Sequence, residues 1–146
     1  MKKITSNSNT LNLLASGLII LVLAGSNVDT AKAEDKPYQI VDGNIDSNTM
    51  EGWKTYNGGG CGGCHGRGGS GGAAGSLMES QVIKNDDREQ FNDYVTNGYP
   101  GTLMKPHSND ERVMANLGNL YNYLRARADG VLGPENLIKY PLGKPK

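Results

Sequence analysis

The chain has 146 residues, 15 basic and 15 acidic side chains and 36% hydrophobic content, enough for one modest domain but not for two. Balanced charge argues against nucleic acid as the main partner, because phosphate neutralisation calls for an excess of Lys and Arg. Glycine is the anomaly at 21 residues, and the two cysteines, Cys61 and Cys64, stand too close together to staple distant parts of a secreted fold.

Residues 1–33 read as a secretory signal, with Lys2 and Lys3 at the start, a mainly apolar run over 11–25, and Ala31-Lys32-Ala33 as a small-residue cleavage site. The run is short of the roughly 20 residues that span a bilayer. Leu23-Ala24-Gly25-Ser26 has the outline of a lipoprotein box but lacks the lipid-accepting cysteine. Cleavage leaves residues 34–146 as one domain with two more acidic than basic side chains. It has no further apolar span, so the expectation is a periplasmic protein without stable membrane insertion.

The mature chain opens on a polar, extended arm over 34–45. Asp46 or Ser47 then caps a helix through Met50, Trp53 and Tyr56, whose spacing puts one apolar stripe on a single face, and Gly58 stops it. From 58 to 75, 11 of 18 residues are glycine, which leaves almost no side chains for a core. A second helix is expected from 86 to about 96, capped by Asn85, with Phe91 and Val95 four residues apart and Gly98 at its end. Residues 99–108 hold two prolines and a glycine and cannot be regular helix. Asn109, Asp110 and Glu111 open the strongest helix, with Arg125 and Arg127 at its negative end and Val113, Leu117, Leu120 and Leu124 as its buried stripe. The tail from Gly130 carries three prolines and reads as an extended wrap. No period-two alternation is present, so the predicted class is all-α. Three short helices joined by glycine-rich loops bury little apolar area, and something else must supply core.

Cys61-Gly62-Gly63-Cys64-His65 is a C-x-x-C-H motif, the attachment signature of c-type haem. Two thiols separated by two small residues can each bond one haem vinyl carbon, and the histidine that follows is carried beneath the iron. The surrounding glycines allow close backbone approach to a flat macrocycle. A thioredoxin-type dithiol needs a strand before the motif and a helix after it, whereas glycine loop is expected on both sides. A structural zinc site needs four ligands, and only His107 is left to join these three.

An iron with one histidine has an open side, and its occupant decides between electron transfer and ligand chemistry. After His65 the candidates are Met78, Met104, His107 and Met114. Met114 falls in the first turn of the last helix, where a core role is commoner, and Met78 is close in sequence to His65. Met104 lies in the proline-bounded loop between two helices, where a rigid ligand strap belongs, and is the favoured ligand. His107 and an open site remain as alternatives. Trp53, Tyr56 and Arg67 are candidates for hydrogen bonds to haem propionates, against a packing role for the first two. Asp86, Asp87, Glu89 and Asp93 form an acidic group that reads first as a solvated helix face and second as a guide for a basic partner.

An early helix with Gly52 and Tyr56, then C-x-x-C-H, a methionine loop and a last helix bearing Tyr123-Leu124 together resemble class I cytochrome c. Val41-Asp42-Gly43-Asn44, Gly52-Trp53-Lys54-Thr55-Tyr56-Asn57, Gly75-Ser76-Leu77-Met78-Glu79-Ser80 and the run from Leu120 to Gly130 resemble more narrowly the cytochrome c-L type. Those cytochromes accept electrons from quinoprotein alcohol or methanol dehydrogenases, and the resemblance covers most of residues 41–133. It implies a small class I cytochrome c fold of about three helices around one haem c. Cys61 and Cys64 would hold the haem covalently, with His65 and Met104 as iron ligands. The implied role is that of an electron carrier, not an enzyme, with a quinoprotein dehydrogenase as donor and a downstream cytochrome or oxidase as acceptor. A carrier between other respiratory complexes and a haem enzyme or gas sensor with an open iron are the rival readings.

Overall fold

A computed structural model describes residues 35–41 and 44–134. The expected export segment 1–33 and the tail beyond Pro134 lie outside the described residues. Two short strands, β1 (Ile40–Val41) and β2 (Asn44–Ile45), pair antiparallel with Ile40 opposite Ile45. Everything after them is helix, single turn or loop: α1 (Ser47–Gly58), α2 (Gly62–His65), α3 (Gln81–Lys84), α4 (Arg88–Asn97), α5 (Glu111–Ala115) and α6 (Leu117–Ala128). Tight 3₁₀ turns at Arg67–Gly69 and Leu77–Glu79 bridge α2 to α3. The class is all-α, with the strand pair as a small addition at the arm.

Asp46 caps α1 as expected, and it does more. Its carboxylate accepts from Thr49 N at 2.9 Å, Thr49 Oγ1 at 2.6 Å and Gln39 N at 2.7 Å, tying the arm to the helix start. α1 then crosses α6 at Gly52. A Cβ on Gly52 would fall 1.9 Å from Asn119 O and 2.8 Å from Tyr123 Cβ, so only glycine lets the two backbones come this close. Tyr56 and Tyr123 pack beside this crossing with ring centroids 5.7 Å apart, and Phe91 of α4 meets Tyr121 edge-on at 5.0 Å. Tyr56, Tyr121, Tyr123, Leu120, Leu124 and Val113 make the centre of the core.

Three helical expectations need correction. The long last helix is broken at Asn116, whose φ of −119° and ψ of 20° end α5 and start α6. Its Nδ2 donates to Arg112 O at 3.0 Å and its Oδ1 accepts from Asn119 Nδ2 at 3.0 Å, so the side chain takes over bonds that a continuous helix would make. The helix expected from 86 begins instead at Arg88 with Asp87 as cap, because Asp86 stands at φ +57°. Its carboxylate accepts from Tyr121 Oη at 2.6 Å, a tertiary bond that holds it out of the helix. Finally, the cysteine segment is not loop throughout, since residues 62–65 form one helical turn.

Candidate haem site

The site is an apolar cavity of about 700 Å³. Its volume lies within the usual ligand-pocket range of roughly 300–1,000 Å³. Cys61, Cys64 and His65 form one wall, and Met104, Tyr99, Leu103 and His107 line the other reaches. Core side chains from four elements close it: Tyr56 of α1, Ile83 of α3, Phe91 and Val95 of α4, and Leu120 and Leu124 of α6.

The turn at α2 sets the geometry of the first wall. His65 N and Cys64 N both donate to Cys61 O, at 2.9 and 3.3 Å, which winds the motif into one turn. Both cysteines are free thiols, Cys61 half-buried and Cys64 exposed. Burial pushes the Cys61 thiol up from its ordinary value, so it stays protonated near neutral pH. Gly66 then takes φ +72°, and a Cβ there would fall 2.0 Å from Gly71 O. This reversal folds 66–71 back on the motif, where Gly71 N donates to His65 O at 2.8 Å. His65 Nδ1 lies 3.3 Å from Gly75 O. A carbonyl only accepts, so this pairing places the ring proton on Nδ1 and leaves the Nε2 lone pair available.

The second wall hangs from the end of α4. Gly98 terminates that helix at φ +80°, and a Cβ on it would meet Met104 O at 2.6 Å. Tyr99 N donates to Met104 O at 3.2 Å, while His107 N and Ser108 N donate to Val95 O and Thr96 O at 3.0 and 3.2 Å. The loop is thus pinned at both ends, with Met104 half-buried between the pins. Of the candidate methionines, Met104 lines the cavity and the others do not. Met78 packs under Gly69, and Met114 Sδ sits 4.0 Å from Thr96 Oγ1. His107 also lines the cavity.

The lesser candidates separate as well. Tyr56 is 1% exposed, and its hydroxyl donates to Gly66 O at 2.6 Å, so it both walls the cavity and ties α1 to the motif. Trp53 packs against the core, and Arg67 is exposed; neither lines the cavity. Within the acidic group, Asp86 serves Tyr121, Asp87 caps α4 through Gln90 N and Asp93 accepts from Asn97 Nδ2, so its bonds are local. Among the described residues no group of three or more His, Cys, Asp or Glu is placed to hold a metal ion by itself. The donor set therefore suits a macrocycle that brings four ligands of its own, with one donor from each wall.

Sequence reading gave Arg127 the role of complementing a helix end. It is buried instead, and its guanidinium reaches from α6 to the turn after the motif. Leu120, Tyr123 or Leu124, and Arg127 share one helical face, so the periodicity of α6 already carried that signal. Nothing comparable in the sequence pointed to the Tyr94–Tyr99 ring pair, 4.5 Å between centroids, on the cavity wall.

No family model and no curated protein matches the chain. Among solved structures it is similar to the c-type cytochrome XoxG from Methylobacterium extorquens AM1, with a TM-score of 0.62 and 28% identity over 75% of this chain and 67% of that one. The all-α fold, a C-x-x-C-H turn in the wall of an apolar cavity and this likeness together identify the chain as a class I c-type cytochrome, an electron-transfer protein rather than an enzyme.

Proposed function

We propose that the chain is an exported, periplasmic mono-haem carrier that accepts single electrons from a quinoprotein alcohol or methanol dehydrogenase and passes them to a downstream cytochrome or oxidase. One observation carries the haem assignment: a single cavity sets Cys61, Cys64 and His65 opposite Met104. Cys61 and Cys64 would hold haem c by thioether bonds, and His65 Nε2 and Met104 Sδ would be its axial ligands. When bound, the haem supplies one-electron ferric/ferrous chemistry.

The chain's own residues do the rest. Ile83, Phe91, Val95, Leu120 and Leu124 exclude water and keep the local dielectric low, while Gly75 O holds the His65 tautomer that can ligate. Tyr99 and Leu103 stand at the cavity rim with 47% and 95% of their surface exposed. They offer a small apolar contact of the kind that binds and releases quickly. The donor's identity rests on the resemblance over 41–133 and on the likeness to XoxG. A reduced quinone holds two electrons and one haem takes one, so each donor turnover serves two carriers.

Intact mass of the mature protein, made with haem maturation machinery, should equal a chain beginning near Glu34 plus one haem. Met104→Ala should abolish the weak far-red sulfur-to-iron band and open the iron to carbon monoxide. Survival of that band, or its absence from wild type together with loss of a bis-histidine spectrum in His107→Ala, would move the ligand assignment to another residue. Mixing with purified quinoprotein dehydrogenase and its alcohol should reduce the haem rapidly. Slow reduction by the dehydrogenase alongside fast exchange with a respiratory complex would favour the general-carrier reading.

A further inference from the structure

Arg127 is 8% exposed and lies in the last turn of α6. Nε donates to Gly68 O at 2.9 Å, Nη2 to Ser70 Oγ at 3.1 Å, and Nη1 to Leu132 O. All three acceptors are neutral, and among the described residues no carboxylate pairs with this guanidinium. Taking a cation out of water without a counter-charge costs several kcal/mol. Neutral donors would serve the same oxygens at less cost, so the charge itself calls for an account.

Its position supplies one. Gly68 and Ser70 belong to the turn that follows the C-x-x-C-H helix directly, and Gly71 N, one residue further, donates to His65 O. The charge also reaches the cavity wall: it acts on the Tyr56 phenol, whose ring lines that wall. We propose that Arg127 sets the reduction potential, its uncompensated buried charge biasing the one-electron couple held in the cavity toward the reduced state. The inference rests on the haem reading above. Reduction removes one positive charge from the iron, so a fixed cation nearby stabilises the reduced form and raises the midpoint potential. Because the cation is buried, added salt screens it little.

The three hydrogen bonds also clamp two loops to α6, and the test must separate the clamp from the charge. Ser70 is exposed and its Oγ touches Nη2, so a carboxylate there neutralises the guanidinium while the arginine stays in place. Midpoint potential and urea midpoint would be measured on the haem-loaded wild type and on Arg127→Gln, Arg127→Lys, Ser70→Asp and Ser70→Asn. Arg127→Gln and Ser70→Asp should lower the potential, while Arg127→Lys and Ser70→Asn hold it near wild type whatever their stability. Equal potentials in Ser70→Asp and Ser70→Asn would overturn the proposal, and this pair carries the test even if Arg127→Gln fails to fold. A common fall in Arg127→Gln and Arg127→Lys would also overturn it, because geometry alone would then be responsible. Absence of covalent haem in the wild-type mass would remove the underlying reading too, and reading the mass first tells the two failures apart.

Discussion

Asp129 gathers three partners at the end of α6. Tyr38 Oη donates to it at 2.8 Å, Arg125 Nε to both its oxygens at 3.1 Å, and Lys36 Nζ lies 3.3 Å away. Partial burial alone would raise its pKa, but the Tyr38, Arg125 and Lys36 donors outweigh that and hold the carboxyl below its ordinary value. A depressed folded-state pKa contributes stability that is present above the unfolded value of about 3.9 and is lost as pH falls through the folded one. Acid titration followed by circular dichroism should therefore show a loss of stability below about pH 4 that Asp129→Asn no longer shows. Tyr121 works in the opposite direction. Burial first, and then the bond to Asp86, push its phenol up to about 12. The proton is held more tightly when folded, so this stability is full below about pH 10 and fades as pH rises toward the folded value. Tyr121→Phe should flatten the alkaline limb of the stability curve, and an unchanged limb would assign it to Tyr56, whose pKa is likewise raised to about 12 by burial.

At the scale of elements, the α1–α6 crossing depends on a missing side chain. Gly52→Ala must push apart backbones that approach within bonding distance of its Cβ, and overpacking of this kind costs about 1–3 kcal/mol. Gly118 in the first turn of α6 meets nothing within 4 Å of its virtual Cβ. Gly118→Ala should thus be neutral or gain up to about 1 kcal/mol from helix propensity. Urea midpoints of the two variants should move in opposite directions, or in one direction only at Gly52. The helices themselves were largely legible in the chain: the Asp46 cap, the Met50, Trp53 and Tyr56 stripe, Gly98 as a stop and the Leu120, Leu124 face all stand where periodicity puts them. What local pattern could not carry was tertiary in origin. Asp86 leaves the helix because Tyr121 claims it from 35 positions away, and Asn116 breaks a run whose apolar spacing continues across it. The motif's spacing announced the first wall of the site. The choice of Met104 over Met78 and Met114 on the second wall became visible only with the cavity.

The whole molecule is built around its cofactor rather than beside it. Phe91, Val95, Leu120 and Leu124 belong at once to the core and to the cavity wall. At roughly 24 cal/mol per Å³, a void of about 700 Å³ would cancel the roughly 5–15 kcal/mol that keeps a typical domain folded. Covalent attachment is thus expected to be a folding requirement. The double variant Cys61→Ser, Cys64→Ser, made with the same maturation machinery, should show no cooperative thermal transition. A sharp transition near that of the haem-loaded protein would mean that the helices pack without the group.

The strap that carries Met104 has a kinetic meaning beyond its geometry. Backbone bonds from Tyr99, His107 and Ser108 fix it to the end of α4 on both sides of the sulfur, so a change of charge in the cavity finds few soft coordinates to relax along. Marcus reorganisation energy is the sum of such relaxations. A protein whose ligand arm is stapled at its base, in a cavity that excludes water, should exchange electrons with little activation beyond docking. Loosening the staple with Gly98→Ala should then slow self-exchange even where the midpoint potential is unmoved.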